Sequence, residues 1–260
     1  MSSDPRVRSA VDGQVAVLTL DSPHNRNALS DQLVRELHAG LQAAAEDDAV
    51  RCVVLTHTGG TFCAGADLSE ATGGEGGDPA RARADQLVDL LRAIVVHPKP
   101  VVGRIDGHVV AGGMGLVAAC DLVVAGPSSS FALTEVRLGL AASVISLTVL
   151  PRIGSREASR YLLTAERLDP AQARNCGLVT VAAESEQQVA DEVAALTEAF
   201  AGASPQGLRE TKTMLNHELV DHLDTHRDRV AEQSSRLFSS DEAREGMTAF
   251  LERRPPRWAR

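Results

Sequence analysis

"VVAGGMGLVAACDLVV", residues 109–124, sets Gly112, Gly113 and Gly115 inside an otherwise apolar run. Glycine within a helix or strand costs roughly 0.5–1 kcal/mol relative to alanine, so this cluster needs a reason. "PVVGRIDG" (100–107) before it and "DLVVAG" (121–126) after it read as strands, and a helix starting near Gly113 lies between them. Working outward, "VRSAVDGQVAVLTLD" (7–21) places alternating β-branched residues on both sides of Asp12-Gly13, a hairpin signal. Ser30 caps a helix carrying Leu33, Leu37 and Leu41 at spacing four. "VRCVVLTH" (50–57) is a buried strand by its continuous apolar run, and a helix over 80–97 stops before Pro98. From 143 onward helical patterns dominate, broken by a short strand at "GLVTVA" (177–182). The alternation of strands and helices predicts an α/β layered core. A boundary near "GASP" (202–205) divides the chain into a core over 1–202 and a helical region over 203–260. That tail cannot fold back over all of the core, which suggests a self-association element.

Composition narrows the function. The 260 residues carry a formal charge of −9 with one Trp, one Tyr and five Phe. An acidic chain without a basic stripe and with few stacking side chains does not suit a nucleic-acid partner. The four cysteines are far apart with no C-x-x-C pair, which argues against a zinc site or disulfide framework and for a reducing compartment. No apolar run reaches ~18 residues, so no membrane span is expected and a cytoplasmic location follows.

Three readings fit the glycines. "GMGLVA" (113–118) matches a dinucleotide-binding fingerprint with Glu135 about 20 residues on, but that fingerprint opens a first βαβ unit, and here a hairpin, a helix and two strands precede it. The glycines also permit close packing of a helix on a sheet, a reading stronger for Gly115 than for the adjacent pair. The third reading is an oxyanion hole. A helix starting near Gly113 leaves its first N–H groups unpaired at its positive end, and a carbonyl oxygen held there gains hydrogen bonds as it becomes an enolate. "FCAGADL" (62–68) offers a second donor, the N–H of Ala66, because Gly65 lets the chain turn sharply.

"FCAGADL", the 109–126 stretch and "FALTEVRLGL" (131–140), in that order, resemble the enoyl-CoA hydratase/isomerase (crotonase) family. "LTAERLDPAQARNCGLV" (163–179), "SP…TK" (204–212) and "DEAREGMTAFLERRPPRW" (241–258) extend the resemblance over nearly the whole chain. It implies a crotonase-like spiral of ββα units with a C-terminal helical trimerisation region, assembled as a homotrimer or dimer of trimers. The implied substrate is an acyl-CoA thioester, and coenzyme A enters as part of it, with no further cofactor and no metal. Its carbonyl would lie between the N–H groups of Ala66 and Gly112. His24, Arg26, Ala28 and the segment Ala64, Asp67, Leu68 and Ser69 would line the nucleotide and pantetheine site. A neighbouring subunit's last helix would bring Phe250 and Arg253 there, and Arg253 suits a phosphate.

The hydratase pattern carries one glutamate just after the glycines and a second in the 131–140 segment. This chain keeps the second as Glu135 and has Gly115 at the first. Flanked by Phe131, Leu133, Val136 and Leu138, Glu135 is expected to be desolvated, with its pKa raised toward working pH. The pattern is closest to a methylglutaconyl-CoA-type hydratase subgroup that also lacks the first glutamate. Hydration of a 2-enoyl-CoA with Glu135 as acid/base is the leading expectation. A 3-enoyl to 2-enoyl isomerase using Glu135 alone is the alternative, and a non-catalytic acyl-CoA-binding family member a second one. Ser143 and Ser146 are candidates to hold a water or to cap the next helix. Asp121 reads as structural, Asp67 as a brace for its loop, and His108 as a packed residue. The Gly-rich loop 69–79 is expected to be mobile over the acyl chain or disordered without a role.

Overall fold

The computed structural model describes residues 4–68, 70 and 78–259. The expected mobility of the loop 69–79 falls almost wholly outside the described residues. Strands β1 (Val7–Asp12) and β2 (Val15–Leu20) pair as the anticipated antiparallel hairpin, with Gly13 at φ +57° in its turn. Helix α1 (Asp31–Glu46) starts where the Ser30 hydroxyl accepts the Leu33 N–H, 3.3 Å, and it buries Leu33, Leu37 and Leu41.

A repeating unit then builds the core. β3 (Cys52–His57), β4 (Thr61–Cys63) and α2 (Pro79–Val95) form the first ββα unit. β5 (Val101–Ile105), β6 (His108–Val110) and α3 (Gly112–Ala119) form the second. β7 (Leu122–Ala125), β8 (Ser130–Ala132), a 3₁₀ turn at Glu135–Leu138 and α4 (Ser146–Val149) form the third. α5 (Ser155–Thr164), β9 (Arg167–Leu168), α6 (Pro170–Asn175), β10 (Val181–Ala182) and α7 (Glu186–Ala201) complete it.

Each unit gives its first strand to one sheet and its second to another. The large sheet runs β1-β2-β3-β5-β7-β10, parallel beyond the hairpin, and the small sheet runs β4-β6-β8-β9. The strand expected over 100–107 is β5, and a short strand not anticipated follows it at His108–Val110, because the chain leaves the large sheet at Asp106-Gly107 and enters the small one. β3, β5 and β7 are covered on both faces. Leu55, Val101 and Val123 join the main core, while Val54, Val102 and Val124 pack under Val189 and Val193 of α7. Burial on both sides explains their unbroken apolar runs.

The tail folds back over part of the core. Helix α8 (Pro205–Phe238) packs along α2, and α9 (Asp241–Leu251) packs on the Glu135–Leu138 turn. Lys212 and Asn216 of α8 anchor it. The Lys212 ammonium donates to Asp121, 2.7 Å, and to the Ile94 and Lys99 carbonyls, while Asn216 donates to Asp121 and the Val95 carbonyl. Asp121 also accepts the Val101 N–H, 2.7 Å, so its structural reading holds. Met214 and Leu215 of α8 remain about seven-tenths exposed, at 70 % and 72 %. Among the described residues no helix is long and apolar enough to cross a membrane.

Candidate active site

Two loops meet at the start of α3. Ala111 turns the chain at φ 48°, ψ −117°, a conformation that residues with a side chain seldom adopt. Its N–H donates to the Ala132 carbonyl of β8, 3.0 Å, which holds the turn in place. Gly65, at φ +92°, faces it. A Cβ on Gly65 would stand 2.8 Å from Ala111 Cβ and 3.3 Å from the Gly112 nitrogen, and one on Gly112 would stand 2.6 Å from Leu29 Cδ1. The two segments are thus in close contact, and Gly65 is needed there for both its φ and its space.

This contact brings two N–H groups together. An isolated parallel bridge pairs Leu29 with Ala66: the Leu29 N–H donates to the Gly65 carbonyl, 2.8 Å, and the Asp67 N–H to the Leu29 carbonyl, 3.4 Å. Those bonds use one edge of the segment and leave the Ala66 N–H on the other. Gly112 is the first residue of α3, so its N–H has no acceptor within the helix. Among the described residues neither N–H donates a hydrogen bond. Such a pair, one member at the positive end of a helix, can bind an anionic oxygen.

A cavity of about 1080 Å³ lies over the pair and is lined by Ala66, Gly112, Glu135, Leu87, Val144 and Ile145, among others. Glu135 opens the 3₁₀ turn, and its carbonyl accepts the N–H groups of Gly139 and Leu140. Part of its side chain reaches the cavity surface, but Oε2 is buried without a hydrogen-bond partner among the described residues. Burial pushes its pKa up to about 7, against a smaller lowering by its own backbone N–H. His57 Nδ1 and Asp106 Oδ1 are likewise buried and unpartnered, but only Glu135 of the three lines the cavity. The desolvation expected from its apolar neighbours is present.

The other expected residues divide. His24, Arg26, Ala28, Ala64, Asp67 and Leu68 line the same cavity. Ser69 lies outside the described residues. Asn27 sits at φ 53° and locks the 24–28 loop, accepting the Ser22 N–H and donating to the Thr58 and Thr61 carbonyls. Asp67 accepts from Asn25 Nδ2, 3.0 Å, as a brace would. Phe250 reaches the cavity of its own chain, whereas Arg253, exposed at φ 55°, is not among the lining residues. Neither serine caps α4, whose N-cap is Ile145: the Ser146 hydroxyl donates to the Ser143 carbonyl, 2.6 Å, and Ser143 is buried at the cavity wall. His108 is exposed rather than packed, because β6 is a strand of the small sheet that turns this side chain toward Ser130, 2.8 Å away.

Each glycine of the opening stretch has a packing partner. A Cβ on Gly113 would stand 2.8 Å from Cys63, and one on Gly115 2.6 Å from Ile145 Cγ2. The space a side chain at 115 would take is held by Ile145, which lines the cavity, as Gly115 does not. No local signal in the sequence marks Ile145, because the contact joins positions thirty residues apart across a turn.

Residues 10–260 match the model of the enoyl-CoA hydratase/isomerase family. The chain belongs to this family. Its fold matches a crystal structure titled as an enoyl-CoA hydratase from Mycobacterium avium, 51% identical, TM-score 0.90, covering 98% of this chain and 99% of that one. A Bacillus subtilis protein named "Probable enoyl-CoA hydratase" is 32% identical over 96% of each chain. A peroxisomal Delta(3,5)-Delta(2,4)-dienoyl-CoA isomerase from Arabidopsis thaliana is 28% identical over 98% of this chain and 96% of its own. The family acts on coenzyme A thioesters, which suits a cavity large enough for an extended ligand.

Proposed function

We propose that the protein hydrates 2-enoyl-CoA thioesters with Glu135 as its single acid/base. The observation that carries this is the buried Glu135 carboxyl, with Oε2 unpartnered among the described residues, in the same cavity as the Ala66 and Gly112 N–H groups, which donate to none of those residues. The thioester oxygen sits between those donors. The Glu135 carboxylate takes a proton from water, the oxygen adds at Cβ, and the electron pair moves through Cα to the carbonyl oxygen. The carboxylic acid then returns its proton to Cα, so one hydroxyl and one hydrogen have been added. The hydratase names of several relatives support this direction.

The apolar wall at Ile145 favours a second reading, 3-enoyl to 2-enoyl isomerisation, in which Glu135 moves a proton from Cα to Cγ and no water takes part. The subgroup lacking the first glutamate is compatible with both. His24, Arg26, Ala28, Ala64, Asp67 and Leu68 would bind the coenzyme A portion. The exposed Met214 and Leu215 support assembly into trimers or pairs of trimers through the 203–260 region.

Incubation with 2-enoyl- and 3-enoyl-CoA in heavy water, read by product mass, tests the reading. Gain of one water at the 2-enoyl substrate supports hydration, and deuterium exchange with double-bond migration supports isomerisation. Tight acyl-CoA binding with neither product would overturn both and leave a binding protein.

A further inference from the structure

The turn that carries Glu135 is clamped by α9, whose last residues Phe250 and Leu251 line the cavity while Gly246 does not. A Cβ on Gly246 of α9 would collide with the Leu138 backbone at its carbonyl oxygen, carbon and Cα. A Cβ on Gly139 would stand 2.7 Å from the Glu242 carbonyl carbon, and Gly139 is held at φ +70°. Helix and turn are therefore in backbone contact through a glycine on each side. Gly139 and Leu140, which donate to the Glu135 carbonyl, are parts of the same contact. Ser240 caps α9 by accepting the Ala243 N–H, 3.2 Å. Beyond α9, Glu245 accepts from Arg254 at 2.7 and 3.1 Å and from the Arg257 N–H at 3.0 Å, which ties the end of the chain to the helix.

We propose that Gly246 is a positioning residue for Glu135: it lets α9 seat against Leu138 and so sets where the carboxyl meets the substrate. The proposal rests on the assignment of Glu135 as acid/base. Gly246 touches neither cavity nor substrate and acts through the turn. A displacement of about 1 Å at a catalytic group costs as much as 10²-fold in rate, and a side chain at Gly246 requires a shift of that order. The same shift admits water to Oε2. The charged groups on the turn and on the helices packed against it are Arg137, which donates to the Ala165 carbonyl, Asp241, Glu242, Arg244 and Glu245 of α9, and Arg156, Glu157 and Arg160 of α5. None of these is a cause of the Glu135 shift, which burial raises and the residue's own backbone N–H partly offsets.

The test is Gly246→Ala in the full chain, with kcat, KM and the pH profile of kcat measured beside Glu135→Gln. The expected result is a fall in kcat of about 10-fold or more with KM nearly unchanged, and an acidic limb moved down from about 7 toward the ordinary carboxylate range. An unchanged kcat overturns the proposal, as does a loss of rate in which KM rises and the limb stays in place. If Gly246→Ala does not fold, Ser240→Ala decides by the same readouts, since it loosens α9 without adding bulk. Retained activity in Glu135→Gln would instead overturn the functional assignment itself, which separates the two failures.

Discussion

Gly115 and Ile145 share one space, with the glycine's missing side chain replaced by the isoleucine Cγ2 at 2.6 Å. Gly115→Ala is therefore overpacked and should cost about 1–3 kcal/mol of stability. The second change, Ile145→Ala, is a buried truncation with its own cost of about 2–5 kcal/mol. In the double variant the two losses should sum to less than their separate values by about 1 kcal/mol, as contacting residues do. Urea unfolding of the four proteins measures this cycle, and additivity within error would mean that the two residues do not compete.

Glu135→Gln should lower kcat by about 10²–10⁴, the range for loss of one general acid/base, and leave acyl-CoA affinity similar. Isothermal titration with a saturated acyl-CoA, beside steady-state kinetics, separates the two quantities. Lost affinity with intact kcat would assign Glu135 to binding.

The same carboxyl makes stability depend on pH. Its ordinary value is 4.5 and its folded value about 7, so between those limits the folded state holds a proton that the unfolded state has released. Stability from this group is complete below about 4.5 and is lost as pH rises through about 7. Glu135→Gln removes the effect. The variant should gain on the wild type by up to about 3 kcal/mol above pH 7 and lose that advantage near pH 4. Thermal melts of both proteins across this range check the sign.

Lys212 is buried with Asp121 at 2.7 Å, and that contact joins α8 to α2, β5 and β7. Lys212→Ala leaves the carboxylate without its cation and should cost about 3–5 kcal/mol. Activity per folded molecule should stay near that of the wild type, because neither residue lines the cavity. A melt within a degree of wild type would show that solvent replaces the ammonium freely.

The elements that were legible in the sequence are those whose own residues determine them. Ser30 with Leu33, Leu37 and Leu41 specifies α1, and the valines of β3 declare a strand buried on both faces. The small sheet was not legible, because β4, β6 and β8 are three residues each, too short for an alternating pattern to emerge. At the site, local chemistry and glycine placement pointed to a donor at the start of α3 and to the Ala66 N–H, while Gly112 and Glu135 were named through the family resemblance. Ile145 and the seat of α9 could not be named, since both arise from contacts between distant segments whose residues look ordinary where they stand.

All eight residues of α3 are buried, and its first turn is wedged between Gly65, Leu29 and Cys63. Gly112, the proposed oxyanion donor in this helix, thus stands where an added atom meets backbone or core. Leu87 of α2 and Phe238 of α8 also wall the cavity, on elements that carry neither the N–H pair nor Glu135. Selectivity is therefore open to change at that wall apart from the chemistry proposed for Glu135. Libraries aimed at new acyl groups should be confined to that wall, where a failed variant loses a substrate and keeps its reaction.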